Sequence, residues 1–128
     1  TGGWIWGKPV FQDGVLFLGN QDGKVYAIDS KTGAVRWQIQ PDQTENRAIL
    51  STPVIADGSL YFASQAGILY AIKPENGNPI WNKTIGGKIY SDLALADDMI
   101  LIAPVEYESA LIAVDLQGNT RWTFAPSK

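Results

Sequence analysis

The chain has 128 residues, a formal net charge of −3, 45% hydrophobic and 18% charged residues, and neither cysteine nor histidine. That composition suits one globular domain and excludes disulfides, thiolate nucleophiles and sulfur-ligated metals, while removing the commonest general base and metal ligand. Lys and Arg are scattered rather than gathered in the basic stripe that nucleic acid requires, and no apolar run is long enough to cross a membrane.

The first residues carry no signal-peptide pattern, which fits either a removed leader or an excised segment. Trp4 and Trp6 open the first extended run and read as packing residues facing a preceding unit, in preference to a stacking surface for a ligand. Four strands follow in the first 40 residues, at about Trp6–Phe11, Val15–Gly19, Lys24–Asp29 and Val35–Gln40. Each run is rich in Val, Ile, Leu, Phe and Tyr, and each is closed by a turn signal. Asp13-Gly14 has the chemistry of a two-residue hairpin, where positive φ is needed at low cost.

The same pattern then recurs at a constant offset of 44 residues, from Pro9 to Pro53 and from Trp37 to Trp81. Asp57-Gly58 repeats the hairpin, Tyr70-Ala71-Ile72 repeats Tyr26-Ala27-Ile28, and Gly77 repeats Gly33. A third, more diverged copy runs through Asp97, Ile100-Leu101-Ile102, Leu111–Asp115 and Gly118 to Trp122, 41 residues after Trp81. No window shows a capped apolar period of 3.6 residues, so no helix is expected. Units of 40–45 residues with four antiparallel strands have the size of β-propeller blades. The fold expected is all-β, with three four-stranded antiparallel blades forming part of a ring. The whole of 1–128 reads as a single partial-propeller domain, with blades at about 4–40, 48–84 and 88–125.

In such a meander the loop between strands two and three shares a face with the connection to the next blade, and the tight hairpins share the opposite face. The irregular segments Pro41–Arg47 and Val105–Ser109 therefore fall on one face. Loops that vary on a regular scaffold tend to carry binding. Asn46, Arg47, Glu106, Tyr107 and Glu108 are the candidate binding residues.

Ala27-Ile28-Asp29-Ser30-Lys31-Thr32-Gly33-Ala34-Val35-Arg36-Trp37 resembles the tryptophan-docking motif of pyrroloquinoline-quinone-type propeller repeats, Ala-x-Asp-x-x-Thr-Gly-x-x-x-Trp. The second copy keeps Ala71, Gly77 and Trp81, with Lys73 and Asn76 at the Asp and Thr positions. The third keeps Ala113, Asp115, Gly118 and Trp122, with a turn one residue shorter and Gln117 at the Thr position. The resemblance implies that Trp37, Trp81 and Trp122 dock across blade boundaries, with Asp29, Thr32 and Asp115 fastening the turns. It also implies a periplasmic or extracellular location.

Quinone-dependent dehydrogenases of the wider family hold their cofactor at the centre of a full ring with Ca²⁺. Here Asp97-Asp98 stands at a hairpin position, so a solvated turn is expected rather than an acid–base pair. Asn20–Gly23 lacks the alternating oxygen ligands of a Ca²⁺ loop. Asn82-Lys83-Thr84 matches a glycosylation sequon, which has meaning only in a eukaryotic secretory setting. No catalytic, cofactor-binding or metal residue is nominated and no cofactor is expected. The function expected is a non-enzymatic scaffold for a protein partner, the alternative being a segment of a quinone-dependent dehydrogenase or small-ligand sensor. Three blades cannot close a ring of the usual four to eight. The chain is therefore expected to be part of a longer parent or to complete its ring by self-association.

Overall fold

The computed structural model describes residues 9–21, 23–41, 48–49, 52–89, 93–104 and 111–125. Twelve strands and no helix are found among them. The first sheet comprises β1 (Val10–Gln12), β2 (Val15–Gly19), β3 (Val25–Asp29) and β4 (Val35–Ile39). The second comprises β5 (Val54–Ala56), β6 (Ser59–Ala63), β7 (Ile68–Ile72) and β8 (Pro79–Thr84). The third comprises β9 (Ala94–Ala96), β10 (Met99–Ile102), β11 (Leu111–Asp115) and β12 (Thr120–Phe124). Each is a four-stranded antiparallel meander in chain order.

Turn chemistry sets the register. Asp13, Asp57 and Asp97 all take positive φ, at 52°, 50° and 56°, as the first turn residues of the hairpins joining the short first strand of each sheet to the second. Asp tolerates this conformation because its short side chain can bond locally. The pair Asp97-Asp98 thus belongs to a hairpin turn, as its alignment with Asp13-Gly14 requires.

The two core clusters lie between sheets, as alternation demands. Val15, Phe17, Val25 and Ala27 of the first sheet meet Leu60, Phe62, Tyr70 and Ile72 of the second. The opposite face of the second sheet, with Tyr61, Ala63, Leu69 and Ala71, meets Ile100, Ile102, Ile112 and Val114 of the third. The middle sheet is therefore apolar on both sides, and its two central strands are almost wholly buried. The outer strands β4, β8 and β12 are largely exposed.

A bulge recurs at the same place in each sheet, after Ala27, Ala71 and Ala113. The extra residue is Arg36, Ile80 or Arg121, and the register that results sets Ala27 opposite Trp37, Ala71 opposite Trp81 and Ala113 opposite Trp122. A methyl group opposite an indole leaves room for the ring to lie along the sheet and reach past its edge. The alanine of the repeat therefore has a steric reason to stay small.

Hydrogen bonds distinguish the two faces. The connection leaving the first sheet bonds the loops between central strands, with Ile49 N–H donating to the Asn20 carbonyl at 2.9 Å and Gln65 N–H to the Ala48 carbonyl at 2.8 Å. The next connection does the same, with Ile85 N–H donating to the Gly67 carbonyl at 2.7 Å. A Cβ at Gly19 would overlap the fully buried Ile49 side chain, so glycine there admits the connection. On the opposite face Ser30 N–H donates to the Gly14 carbonyl at 3.0 Å, tying one tight turn to another.

Candidate functional site

The docking geometry follows one rule at both inter-sheet boundaries. The Trp37 indole N–H donates to the Pro74 carbonyl in the next sheet at 2.9 Å, and that of Trp81 donates to the Leu116 carbonyl at 3.1 Å. The ring then covers the glycine of that sheet's turn. A Cβ at Gly77 would lie 2.9 Å from Trp37 Cε3, and one at Gly118 would lie 3.1 Å from Trp81 Cδ2. Gly77, at φ +77°, thus serves both the turn and the landing of the preceding tryptophan. Trp122 has no following sheet among the described residues and is 43% exposed. Gly33, at the other end, has nothing within 4 Å of where its Cβ would be.

Two residues not singled out by the motif support the tryptophans. Phe17 packs on Trp37 with ring centroids 6.0 Å apart, and Tyr61 packs on Trp81 at 5.9 Å. The Tyr61 hydroxyl also donates to the Leu116 carbonyl at 3.2 Å, so one carbonyl accepts from two side chains of the preceding sheet. Burial raises the Tyr61 pKa above its usual value. The 44-residue offset between Phe17 and Tyr61 was the available signal. The acceptor carbonyls are backbone atoms and have none.

The turns are fastened in three different ways. Asp29 Oδ1 accepts from the Lys31 and Thr32 amides at 2.9 and 3.2 Å, and Thr32 Oγ1 accepts from Ala34 N–H at 3.2 Å. In the second sheet Asn76 Oδ1 takes over the Thr role, accepting from Asn78 N–H at 2.9 Å. In the third, Asp115 Oδ1 accepts from the Gln117 and Asn119 amides at 3.0 and 2.8 Å. An ion pair accompanies the aspartate: Arg36 lies 3.2 Å from Asp29 and Arg121 lies 3.9 Å from Asp115. Where the second copy has Lys73 instead of Asp, the arginine position is Ile80.

These bonds hold the carboxylates below the usual range, for Asp29 through the Lys31 amide first, then Arg36 and Thr32. For Asp115 the Asn119 amide is the main cause. A lowered folded pKa stabilises the protein above the unfolded value, and this is lost as pH falls through the folded value. Asp29→Asn is therefore expected to be less stable than the parent at pH 7, with the gap narrowing below about pH 4. Urea midpoints at several pH values check this, and a gap that stays constant with pH would contradict it.

The candidate binding residues Asn46, Arg47, Glu106, Tyr107 and Glu108 lie outside the described residues, as do Trp4, Trp6 and Asp22. A crevice of about 440 Å³ lies on the tight-turn face, lined by Gln12, Asp13, Arg36, Gly58, Pro74 and Glu75. Its guanidinium is already paired with Asp29. Among the described residues no three Asp or Glu carboxylates come together to hold a metal, and no helix is long and apolar enough to cross a membrane.

Stacked four-stranded meanders joined by a tryptophan that lands on the next turn define a docking-tryptophan β-propeller segment. Residues 21–128 match the PQQ_2 family model, described as outer membrane protein assembly factor BamB, and the chain belongs to that family. Among solved structures it is similar to BamB from Moraxella catarrhalis, with 24% identity and a TM-score of 0.73 over 94% of this chain and 37% of that one. It is also similar to a europium-containing methanol dehydrogenase, with 19% identity and a TM-score of 0.81 over 100% of this chain and 26% of that one. The quinohemoprotein alcohol dehydrogenase from Comamonas testosteroni gives 20% identity and a TM-score of 0.77, over 96% and 21% respectively. At these identities the likeness is one of fold, and the chain spans between 21% and 37% of the length of the three. No match was found among curated protein sequences.

Proposed function

We propose that this chain is a non-enzymatic propeller segment that presents one loop face to a protein partner outside the cytoplasm, as the name of its family suggests for outer-membrane assembly. The observation that carries the reading is the hydrogen-bonded seam of inter-sheet connections and central loops, Ile49 to Asn20, Gln65 to Ala48 and Ile85 to Gly67. A rigid seam of this kind positions longer loops at low entropic cost, which favours binding. Asn46 and Arg47 directly precede the seam residues Ala48 and Ile49 in sequence, and Glu106, Tyr107 and Glu108 fall between β10 and β11. Tyr and Arg are the residue types that most often dominate interface energy.

The test is binding to the detergent-solubilised outer-membrane assembly machinery, with the parent and a variant carrying alanine at 47, 106, 107 and 108. At least about a tenfold loss of affinity is expected. Unchanged binding would sink the surface assignment. A rise in melting temperature on adding pyrroloquinoline quinone with Ca²⁺ would instead favour a dehydrogenase segment.

A further inference from the structure

We propose that the crevice between the first and second sheets binds a small organic ammonium group, whose apolar stem rests on Val15 and Phe17 and whose N–H donors meet the Pro74 carbonyl and the carboxylates of Asp13 and Glu75. The crevice has a volume of about 440 Å³, within the range of small-molecule sites. Its walls come from adjacent sheets of this chain: Asp13 from the β1–β2 hairpin, Gly58 from the β5–β6 hairpin, and Pro74 and Glu75 from the β7–β8 turn. All three turns lie on the tight-turn face, opposite the seam of inter-sheet connections.

The repeat supplies its own comparison, because the matching residues at the next boundary fill the same place. There Tyr61 stands where the first sheet has Phe17, and its hydroxyl, beside Ser59, donates to the Leu116 carbonyl at 3.2 Å. Leu116, in the position of Pro74, packs against the core between the second and third sheets. At the first boundary Val15 replaces Ser59 and Phe17 replaces Tyr61, so the crevice floor is apolar and buried. The Leu116 carbonyl accepts from two side chains, Trp81 and Tyr61. The Pro74 carbonyl accepts from the Trp37 indole alone among the described residues. Its second lone pair is available to a donor held beside Phe17, where the Tyr61 hydroxyl would fall.

The charges select the sign of the ligand. Neither Asp13 nor Glu75 has a hydrogen-bond or ion-pair partner for its carboxylate among the described residues. Arg36, the cation of the lining, is already engaged by Asp29 at 3.2 Å. The crevice therefore offers acceptors in excess of donors, above an apolar floor. An ammonium group brings a positive charge and several donors to one point, and charge-assisted bonds of this kind are the strong ones. The group has two sources of the same chemistry, a free amine and the side chain of a lysine in a peptide.

Heteronuclear NMR of the indole N–H groups tests this by titration of the chain with phenethylamine, with a blocked tripeptide carrying a central lysine, and with 3-phenylpropionate. The Trp37 resonance is expected to move with at least one of the amines, because its acceptor carbonyl is shared with the ligand, while that of Trp81 stays. Which amine binds more tightly identifies the source. The propionate has the same apolar body as phenethylamine and the opposite charge, and should shift neither. Phe17→Tyr, which places a hydroxyl where Tyr61 has one, should weaken amine binding at least about tenfold, as should Asp13→Asn combined with Glu75→Gln. Far-UV circular dichroism checks folding, and the carboxamide pair carries the test if Phe17→Tyr does not fold. A Trp37 resonance unmoved by both amines overturns the proposal, as does a propionate that binds equally well. Undiminished amine binding by either folded variant also overturns it.

Discussion

Trp81→Ala is expected to lower the free energy of unfolding by about 2–4 kcal/mol, while Trp122→Ala lowers it by about 1 kcal/mol or less. The two residues occupy the same position of the repeat and face the same alanine across the bulge. They differ in what lies beyond the sheet. Trp81 packs on Tyr61, donates to the Leu116 carbonyl and lies against the Gly118 backbone. Removing its indole opens a cavity between the second and third sheets and leaves that carbonyl with the Tyr61 hydroxyl alone. Trp122 meets solvent instead, so its truncation empties nothing. Urea titration followed by far-UV circular dichroism gives both values without relying on tryptophan fluorescence. Equal losses would mean that the two rings do the same work, and docking would not be what stabilises the inter-sheet boundary.

The repeat was legible because its determinants are local. Strand alternation, Asp-Gly hairpins and the Tyr-Ala-Ile core each fix a few residues, and the 44-residue offset multiplies the signal. The second, third and fourth strands of the first sheet follow the sequence closely: Val15–Gly19 as expected, and Val25–Asp29 and Val35–Ile39 one residue shorter than expected. What could not be read is which turn each tryptophan covers. That depends on how one twisted sheet stacks on the next, and the atom that receives the indole proton is a backbone carbonyl with no residue preference. The bulge was hidden for a similar reason, since Arg36, Ile80 and Arg121 share no chemistry and only the cross-strand register reveals them. The candidate loops stand apart again. Topology fixes the ends they leave from, but 42–47 and 105–110 have no counterpart in the other copies from which their side-chain arrangement could be inferred.

Gly77→Ala is expected to cost about 2–5 kcal/mol, against about 1–2 kcal/mol for Gly33→Ala. Both glycines hold nearly the same left-handed conformation, φ +77° and +76°, so the backbone penalty of an L residue is common to the two. The rest of the difference comes from packing. The new methyl at 77 would sit 2.9 Å from Trp37 Cε3 and 3.2 Å from Ile39 Cγ2, whereas at 33 it meets open space. Trp37 cannot retreat without stretching its 2.9 Å bond to the Pro74 carbonyl. The strain therefore passes into the boundary between the first and second sheets, where overpacking typically costs about 1–3 kcal/mol. A Trp37→Ala background supplies the control: with the ring gone, Gly77→Ala should fall to the cost seen at Gly33. If the two alanine variants instead unfold at the same urea midpoint with Trp37 in place, glycine at 77 is there for its turn alone. The landing of one sheet's tryptophan on the next sheet's turn would then be a contact without energetic weight.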